Sequence, residues 1–331
     1  MPTPLIPQEV YLLERYSSPE YFAPMRDQWE AMVQHVERCL EVFMEHLPPD
    51  YRRRGLPDQP DIVWGERVLP NFRSTQQNLY RAYINLSHGD LSALGAAWGV
   101  TGGHRGQTEY WAGWMDEPHV TAVIPNAQDV YHQLLSASQQ RASNIARTHD
   151  RVWSSGALTN RYNRSARGPL DPPERWPFYQ LNPEFRVTEG KKVPKSGIYL
   201  PDADKSCPAA LAEGDDWLDC KVLLRMEEML DQDGNKYGEN PVTEWRATGW
   251  TLIERVPGET IPFDAGLGTI ESKPGRVPAG ESCPRTGWWQ TPAKAGSRRH
   301  FRQGERFPKI EDSDYGDTFW LWAQDQSDPM L

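Results

Sequence analysis

Histidine, cysteine and acidic side chains in this 331-residue chain point to two kinds of chemistry. His149 directly precedes Asp150, and a His–Asp pair can orient a general base, but the chain has no G-x-S-x-G elbow or other obvious nucleophile for it. His35 and Cys39 lie one helical turn apart and could supply two metal ligands, yet no third or fourth ligand follows at a usable spacing. We therefore predict no catalytic residues and no metal site, and we interpret these residues as packing or surface groups.

Two further segments begin like ligand-binding loops without completing the pattern. Residues 101–106 (T-G-G-H-R-G) lack the Gly-Lys-Ser/Thr ending of a phosphate-binding loop, so we interpret them as a helix-breaking loop. Asp231 and Asp233 resemble the start of a calcium loop, but the acid-Gly pattern and distal glutamate of an EF-hand are missing. Because Asp233-Gly234-Asn235 is a hairpin signal, we predict a turn between strands at 221–230 and 242–256. No cofactor is predicted.

Charge and cysteine usage restrict the class of protein. The chain has 36 Lys+Arg against 46 Asp+Glu, a formal net charge of −10, which disfavours a nucleic-acid binder and suits a basic protein partner. No apolar run approaches the roughly 18 residues of a membrane span, and residues 1–10 do not resemble a secretory signal. The four widely spaced cysteines fit neither a disulfide framework nor a zinc site. We therefore expect a cytoplasmic protein that binds no membrane, and the sequence leaves its oligomeric state open.

The first 165 residues favour helices. They contain 15 arginines and no lysine, and apolar residues recur there at spacings of three and four. Ser18 and Pro19 form a helix start, and Pro48 with Pro49 ends the same helix. We expect further helices over residues 74–86, 90–98 and 127–152. Amphipathic helices with short connections predict a helical, bundle-like domain over residues 1–153.

The rest of the chain favours a linker and then strands. Residues 154–190 are rich in Gly, Pro, Asn and Arg, and their aromatic residues Trp176, Phe178 and Tyr179 indicate a linker packed on the surface. Residues 191–331 show short strands and turns. The predicted fold class is therefore α+β, with the helical domain followed by a mainly antiparallel β-rich domain.

Two segments of the β-rich part share one pattern. Residues 194–199 read P-K-S-G-I-Y and residues 284–289 read P-R-T-G-W-W, which is proline, base, hydroxyl, glycine and two large strand-forming residues. We interpret each as a turn whose glycine adopts positive φ and leads into a strand. A Trp-containing strand follows each copy, at 250–255 and 319–322. These features predict an internal two-copy repeat with modules at 191–257 and 280–326, in which one Trp of each pair 288/289 and 320/322 is buried.

The second copy belongs to a longer signature: C-P-R-T-G-W-W (283–289), T-P-A (291–293), S-R-R-H-F (297–301), F-P (307–308) and D-Y-G-D-T-F-W (314–320). From about residue 191 to residue 322, the chain resembles the immunity proteins encoded beside toxins of bacterial polymorphic-toxin and type VI secretion systems. The nearest are the families numbered seventy-two and seventy-one. The resemblance implies a non-enzymatic protein that binds the producing cell's own toxin and blocks it. It supplies no catalytic residues.

The leading functional hypothesis is therefore a toxin-neutralising immunity protein that acts stoichiometrically on a cognate effector toxin. An effector chaperone or adaptor for a secretion system is the first alternative. An enzyme that reverses the toxin's modification of its target is a second alternative, and a carbohydrate-binding module, suggested by the 14 tryptophans, is a third.

Candidate partner-binding residues come from charge clusters in the second half of the chain. Acidic clusters could steer the protein onto a basic toxin groove, especially one that holds nucleic acid, although most such clusters are ordinary solvated surface. A basic patch could contact phosphate or a toxin carboxylate, or pair with nearby acids. The candidates are Asp202, Asp204, Asp215, Asp216, Asp219, Glu311, Asp312, Asp314, Asp317, Arg298 and Arg299.

Overall fold

The structure is a computed structural model that describes residues 3–107, 110–216, 218–262, 277–283, 286–294, 296–310 and 318–323. The chain divides into two compact units, Met1–Gly268 and Thr269–Leu331. Helices dominate the N-terminal part and antiparallel sheets the C-terminal part, so the predicted α+β class is confirmed. The boundaries predicted at residues 153 and 190 fall inside the first unit, because its helices and its sheet pack together.

All the helices described lie in the first unit. In chain order they are α1 (Pro7–Tyr16), α2 (Pro19–Glu45), α3 (Leu69–Ser87), α4 (Ala97–Gly106), α5 (Pro118–Thr121), α6 (Ala127–His149) and α7 (Arg164–Arg167). A π-helical stretch, Asp61–Val68, leads into α3, and a 3₁₀ helix, Leu91–Ala96, leads into α4. None of the described helices is long and apolar enough to cross a bilayer.

Helix α2 follows the sequence pattern closely. The Ser18 hydroxyl accepts a hydrogen bond from the Tyr21 amide at 3.2 Å, and Pro19 occupies the first turn, as predicted. Apolar side chains at spacings of three and four residues, including Met25, Trp29 and Met32, are fully buried. This face packs against α3 and α6 and forms the centre of the helical part.

The predicted loop at 101–106 is wrong, because these residues belong to α4. Its glycines serve close packing instead of breaking the helix. A Cβ atom at Gly103 would lie 2.6 Å from Cη2 of Trp29, and one at Gly99 would lie 3.0 Å from Cγ2 of Thr75. Glycine therefore lets α4 approach α2 and α3 more closely than any other residue would.

Replacement of Gly103 by alanine tests this packing. We expect Gly103→Ala to lower the free energy of unfolding by about 1–3 kcal/mol, because the added methyl group overlaps the Trp29 ring. Gly102→Ala is the matched control: nothing lies within 4 Å of its Cβ position, so the higher helix propensity of alanine should stabilise it by about 0.5–1 kcal/mol. Urea denaturation of both variants measures the difference. Equal stability of the two variants would contradict the packing argument.

The strands that the structure describes form three antiparallel sheets. In chain order they are β1 (Arg175–Val187), β2 (Gly197–Pro201), β3 (Ala209–Leu211), β4 (Asp219–Leu230), β5 (Lys236–Ala247), β6 (Trp250–Pro262), β7 (Val277–Pro278), β8 (Gly287–Gln290), β9 (Arg299–Phe301) and β10 (Phe319–Trp322). The first unit contains a four-stranded sheet of order β1-β6-β2-β3 and the hairpin β4–β5, and the second contains a four-stranded sheet of order β7-β10-β8-β9.

The segment predicted as a linker, 154–190, contributes the edge strand β1. Its aromatic residues pack as expected: Trp176 is buried against Tyr11 at 5.4 Å between ring centroids, and the Tyr179 hydroxyl donates to Glu14 at 2.7 Å. The predicted strand 242–256 is two strands, β5 and β6, separated at Thr248 and Gly249. A Cβ atom at Gly249 would clash with the Asp202 carboxylate, so the close approach of this side chain explains the glycine at the break.

The two four-stranded sheets share one topology. In each sheet, the first strand along the chain pairs with the fourth. The fourth strand also pairs with the second, and the second pairs with the third. All of these pairs are antiparallel. The two predicted copies supply the equivalent strands β2 and β8, and the Trp-containing strands are β6 and β10. The hairpin β4–β5 is an insertion between the third and fourth strands of the first sheet. Duplication as the origin of this likeness stays a prediction.

Each four-stranded sheet has its own aromatic core. Trp250 is buried among Tyr199, Leu211 and other residues of the first sheet, and its Nε1 donates to the Leu218 carbonyl at 2.7 Å. In the second unit, Trp289 and Trp320 are buried while their neighbours 288 and 322 are half-buried. The predicted burial of one Trp in each pair is therefore confirmed.

The two motif glycines differ in their roles. Gly287 has a φ of 153°, but Gly197 does not have positive φ, so the predicted conformation is wrong for Gly197. A Cβ at Gly197 would lie 2.7 Å from Cδ1 of Leu252 on the neighbouring strand. Close approach of two strands explains the glycine there.

Candidate functional site

The hairpin β4–β5 projects from the first sheet. Its base is anchored, because Cys220 and Val222 are buried in the core of that sheet and the Leu223 amide donates to the Lys205 carbonyl at 2.8 Å. Beyond Leu224, no described strand pairs with either outer edge of the hairpin. At about 3.4 Å per residue, the strands extend roughly 20 Å from that point to the turn.

Apolar side chains are exposed along the projecting half. Leu230 is 54% exposed and Tyr237 is 64% exposed, and Leu224 and Met229 are also exposed. Single exposed apolar residues are ordinary on protein surfaces, but four of them on one two-stranded ribbon form an unusual concentration. A protein partner that covers them would gain free energy by removing them from water.

The same half of the hairpin is acidic. Residues 224–243 contain five acidic and two basic side chains, a net charge of −3. Lys236 Nζ lies 3.0 Å from Glu228 Oε1 and 2.6 Å from Glu239 Oε1, so the positive charges are already engaged within the hairpin. The excess of acid attracts a basic surface and repels an acidic one.

The hairpin turn predicted from Asp233-Gly234-Asn235 is confirmed. Gly234 adopts a φ of +82°, and the Asp231 amide donates to the Asn235 carbonyl at 2.9 Å. The Asp231 carboxylate accepts hydrogen bonds from the amides of Asp233 and Asn235 at 2.9 and 2.8 Å, which lower its pKa. Its oxygens stabilise the turn, as the hairpin prediction requires.

A cleft of about 440 Å³ lies at the base of the hairpin and contains the predicted His149–Asp150 pair. The His149 Nδ1 atom lies 2.9 Å from Asp150 Oδ1, which also accepts a hydrogen bond from Trp98 Nε1 at 3.1 Å. Ser92 lines the same cleft, but its hydroxyl donates to Asp90 at 2.6 Å. Within the described ranges no hydroxyl or thiol forms a hydrogen bond with His149, so the pair acts as a helix-end contact.

The second pair from the sequence, His35 and Cys39, is also engaged in packing. His35 Nε2 lies 2.7 Å from the Ala127 carbonyl and 3.6 Å from Cys39 Sγ. Among the residues that the structure describes, no group of three or more His, Cys, Asp or Glu side chains could hold a metal ion.

A groove of about 670 Å³ separates α1 from the first sheet. The charged residues that line it form hydrogen bonds and ion pairs. Glu14 accepts hydrogen bonds from Tyr179 and Arg255, and Lys195 Nζ lies 3.1 Å from Glu254 Oε1. The Glu14 contacts join α1 to the sheet, the Lys195–Glu254 pair lies on the sheet side of the groove, and Arg15, which also lines the groove, pairs with Asp171 at 3.0 Å.

The structure separates the predicted acidic candidates. Asp202 forms an ion pair with Arg186 at 2.7 Å across the strand ends, and Asp204 accepts a hydrogen bond from the Lys205 amide at 2.9 Å. Both acids therefore stabilise the loop after β2, in addition to contributing negative charge to the surface. The structure does not bring this cluster to the projecting half of the hairpin.

The second acidic cluster lies where the chain enters the hairpin. Asp215 pairs with Arg151 at 3.1 Å in the cleft, Asp216 is exposed, and Asp219 begins β4. This cluster borders the base of the projecting hairpin, where Arg151 offsets part of its negative charge.

The remaining candidates lie in the second unit. The Arg298 guanidinium lies over the Trp288 ring at 4.4 Å, and that of Arg299 lies over Phe301 at 5.4 Å, so both cations contact aromatic rings of their own sheet. Glu311, Asp312, Asp314 and Asp317 lie outside the described residues.

The apolar half of the hairpin is the functional candidate that the sequence reasoning missed. The signal was present, because Met229, Leu230 and Tyr237 flank a strong turn in a segment rich in charge. Alternation alone could not show that, among the described strands, none pairs with the outer edges of this hairpin.

Comparison with known proteins adds no relative: no family model matches the chain, and neither a curated protein nor a solved structure matches it.

Proposed function

We propose that this chain is a cytoplasmic immunity protein that binds a cognate effector toxin stoichiometrically and blocks its activity in the producing cell. The observation that carries this proposal is the projecting hairpin, with exposed Leu230 and Tyr237 at its end and a net charge of −3 over residues 224–243. The sequence resemblance described above supports the same function. The hairpin supplies a physical means of binding that the resemblance lacks.

The partner that suits this hairpin is a toxin domain with a basic cleft. A two-stranded ribbon is narrow enough to enter a groove, and its exposed apolar side chains can anchor there. Its acids complement the lysines and arginines that line a site built for a phosphate backbone. A hairpin in such a cleft would exclude the substrate directly.

The contacts of His149, Asp150 and Ser92, the residues of the cleft that could take part in catalysis, favour a binding function over an enzymatic one. His149 and Asp150 hold the end of α6 through Trp98, and the Ser92 hydroxyl donates to Asp90. Each of these groups has a structural partner that accounts for its position. By contrast, Leu230 and Tyr237 of the hairpin remain more than half exposed among the residues that the structure describes.

Titrated co-expression tests the proposal. The C-terminal domain encoded by the gene immediately upstream is expressed with increasing amounts of this protein, and growth and complex formation are measured. We expect growth to recover as the protein reaches equal molar amounts, and the two chains to co-elute on gel filtration as one stable complex. Killing at every ratio with no complex contradicts the proposal. Protection at far lower amounts would indicate an enzyme, and an effect on export alone would indicate an adaptor.

A further inference from the structure

Equivalent positions on the two four-stranded sheets differ in chemistry and in burial. In the first sheet, Ile198 on β2 lies opposite Ala210 on β3, and both are 6% exposed on the face that packs against α1. The equivalent pair in the second sheet is Trp288 on β8 and His300 on β9. Trp288 is half-buried and His300 is exposed. The same place in the fold therefore serves helix packing in the first sheet and carries aromatic surface in the second.

Planar side chains meet on this face, which we call the Trp288 face. The Arg298 guanidinium carbon lies 4.4 Å from the centroid of the Trp288 ring, and the His300 ring meets the same ring edge-on at 5.5 Å between centroids. Gln290 and Leu321 extend the face, because strand alternation places them on the side away from the aromatic core of this sheet. Nucleic-acid bases stack on aromatic rings and on guanidinium planes, so the Trp288 face offers groups of the kind that bases contact.

The segment that carries the Trp288 face is strongly basic. Residues 286–310 contain six basic side chains and one acidic side chain, a net charge of +5 in a chain whose net charge is −10. Five of these bases are exposed, and among the residues that the structure describes none of the five forms an ion pair with a carboxylate. They lie on β9, in the loop before it and in the segment after it, and are Lys294, Arg299, Arg302, Arg306 and Lys309. Exposed cations at this density attract a polyanion.

We propose that the Trp288 face binds single-stranded nucleic acid. Bases stack on Trp288 and its planar neighbours, and the exposed lysines and arginines contact the phosphate backbone. An acidic peptide would satisfy the cations but has no planar groups for the rings, and a duplex hides the faces of its bases within its own stack. The combination of rings and cations therefore favours a single strand. The inference uses residues of the second unit alone and is independent of the proposed toxin binding.

Fluorescence anisotropy of labelled probes with the full chain tests the proposal. The probes are dodecamers of uridine and of thymidine, a DNA duplex of the same length and a peptide of twelve glutamates. We expect both single strands to bind with a Kd of about 1–10 μM at about 50 mM salt and about tenfold more weakly at about 200 mM salt. The duplex and the peptide should bind at least fivefold more weakly than either single strand. Absence of single-strand binding, or a duplex or peptide that binds as tightly, overturns the proposal.

Substitutions locate the binding site. Trp288→Ala should weaken single-strand binding about tenfold or more, whereas Trp288→Phe, which keeps a ring for stacking, should stay within about threefold of the parent. Arg299→Gln with Arg302→Gln should weaken binding about fivefold and reduce its salt dependence. Arg53→Gln with Arg164→Gln, which removes the same charge from exposed residues of the helical part, should leave binding unchanged.

Thermal unfolding of each variant shows whether its fold is intact. Arg299 and Arg302 are both exposed, so their double variant keeps the test decisive even if Trp288→Ala fails to fold. Undiminished single-strand binding by a folded Trp288→Ala variant, or by the double arginine variant, would place the nucleic acid elsewhere and overturn the proposal.

Discussion

The double substitution Leu230→Asp with Tyr237→Asp should weaken the toxin complex about 100-fold or more. Both side chains are more than half exposed at the end of the hairpin, and exposed apolar residues that a partner buries usually dominate binding free energy. The substitutions also add two negative charges where an apolar pocket is expected. Isothermal titration of the toxin domain into the parent and the variant measures the change, and the thermal unfolding of the free variant should stay unchanged.

A matched variant separates the hairpin from a general effect of surface charge. Leu56 and Ile84 are 63% and 56% exposed and lie in the helical part. Leu56→Asp with Ile84→Asp adds the same charge and removes similar apolar surface. We expect its affinity for the toxin domain to remain within about twofold of the parent. Equal losses from the two variants would argue against the hairpin as the binding element.

The substitution Glu9→Gln should have the largest effect on stability. Glu9 on α1 is 1% exposed, and burial raises its pKa from 4.5 to about 7, although hydrogen bonds with Gly156, Thr159 and Cys207 and the charge of Arg161 lower it in part. Between those two pH values the unfolded chain releases the proton and the folded chain keeps it. The free energy of unfolding should therefore fall by about 3 kcal/mol as the pH rises from 4.5 to 7, and then level off.

Removal of the titrating group should abolish this loss. Because glutamine keeps the shape and stays neutral, Glu9→Gln should be about 3 kcal/mol more stable than the parent at pH 8 and close to it at pH 4.5. Urea denaturation at both pH values measures the difference, with the exposed Glu20→Gln as control. A variant no more stable at pH 8 than the parent would show that Glu9 ionises in the fold without this cost.

Sequence signals correctly predicted the elements that are stabilised by residues close to them in the chain. Ser18, Pro19 and the apolar spacing gave the start and inward face of α2, and the Asp-Gly-Asn turn gave the hairpin. The repeated motif predicted two equivalent strands, β2 and β8. Capping and turn chemistry depend on neighbours in the chain, so they can be recognised without the fold.

Features that depend on residues distant in the chain were predicted wrongly from the sequence or were not predicted. The glycines of α4 indicate a loop when read alone, and only the Trp29 ring beside Gly103 explains them as helix packing. The exposure of the hairpin likewise depends on distant parts of the chain, because none of the described strands pairs with its outer edges.

Hydrogen exchange of the free protein and of its complex with the toxin domain tests the central claim most directly. We expect binding to slow amide exchange over residues 224–243, whose outer edges pair with no described strand, and to leave exchange in the cores around Trp29 and Trp250 unchanged. A stable complex in which residues 224–243 exchange as fast as in the free protein, with protection elsewhere, would contradict it.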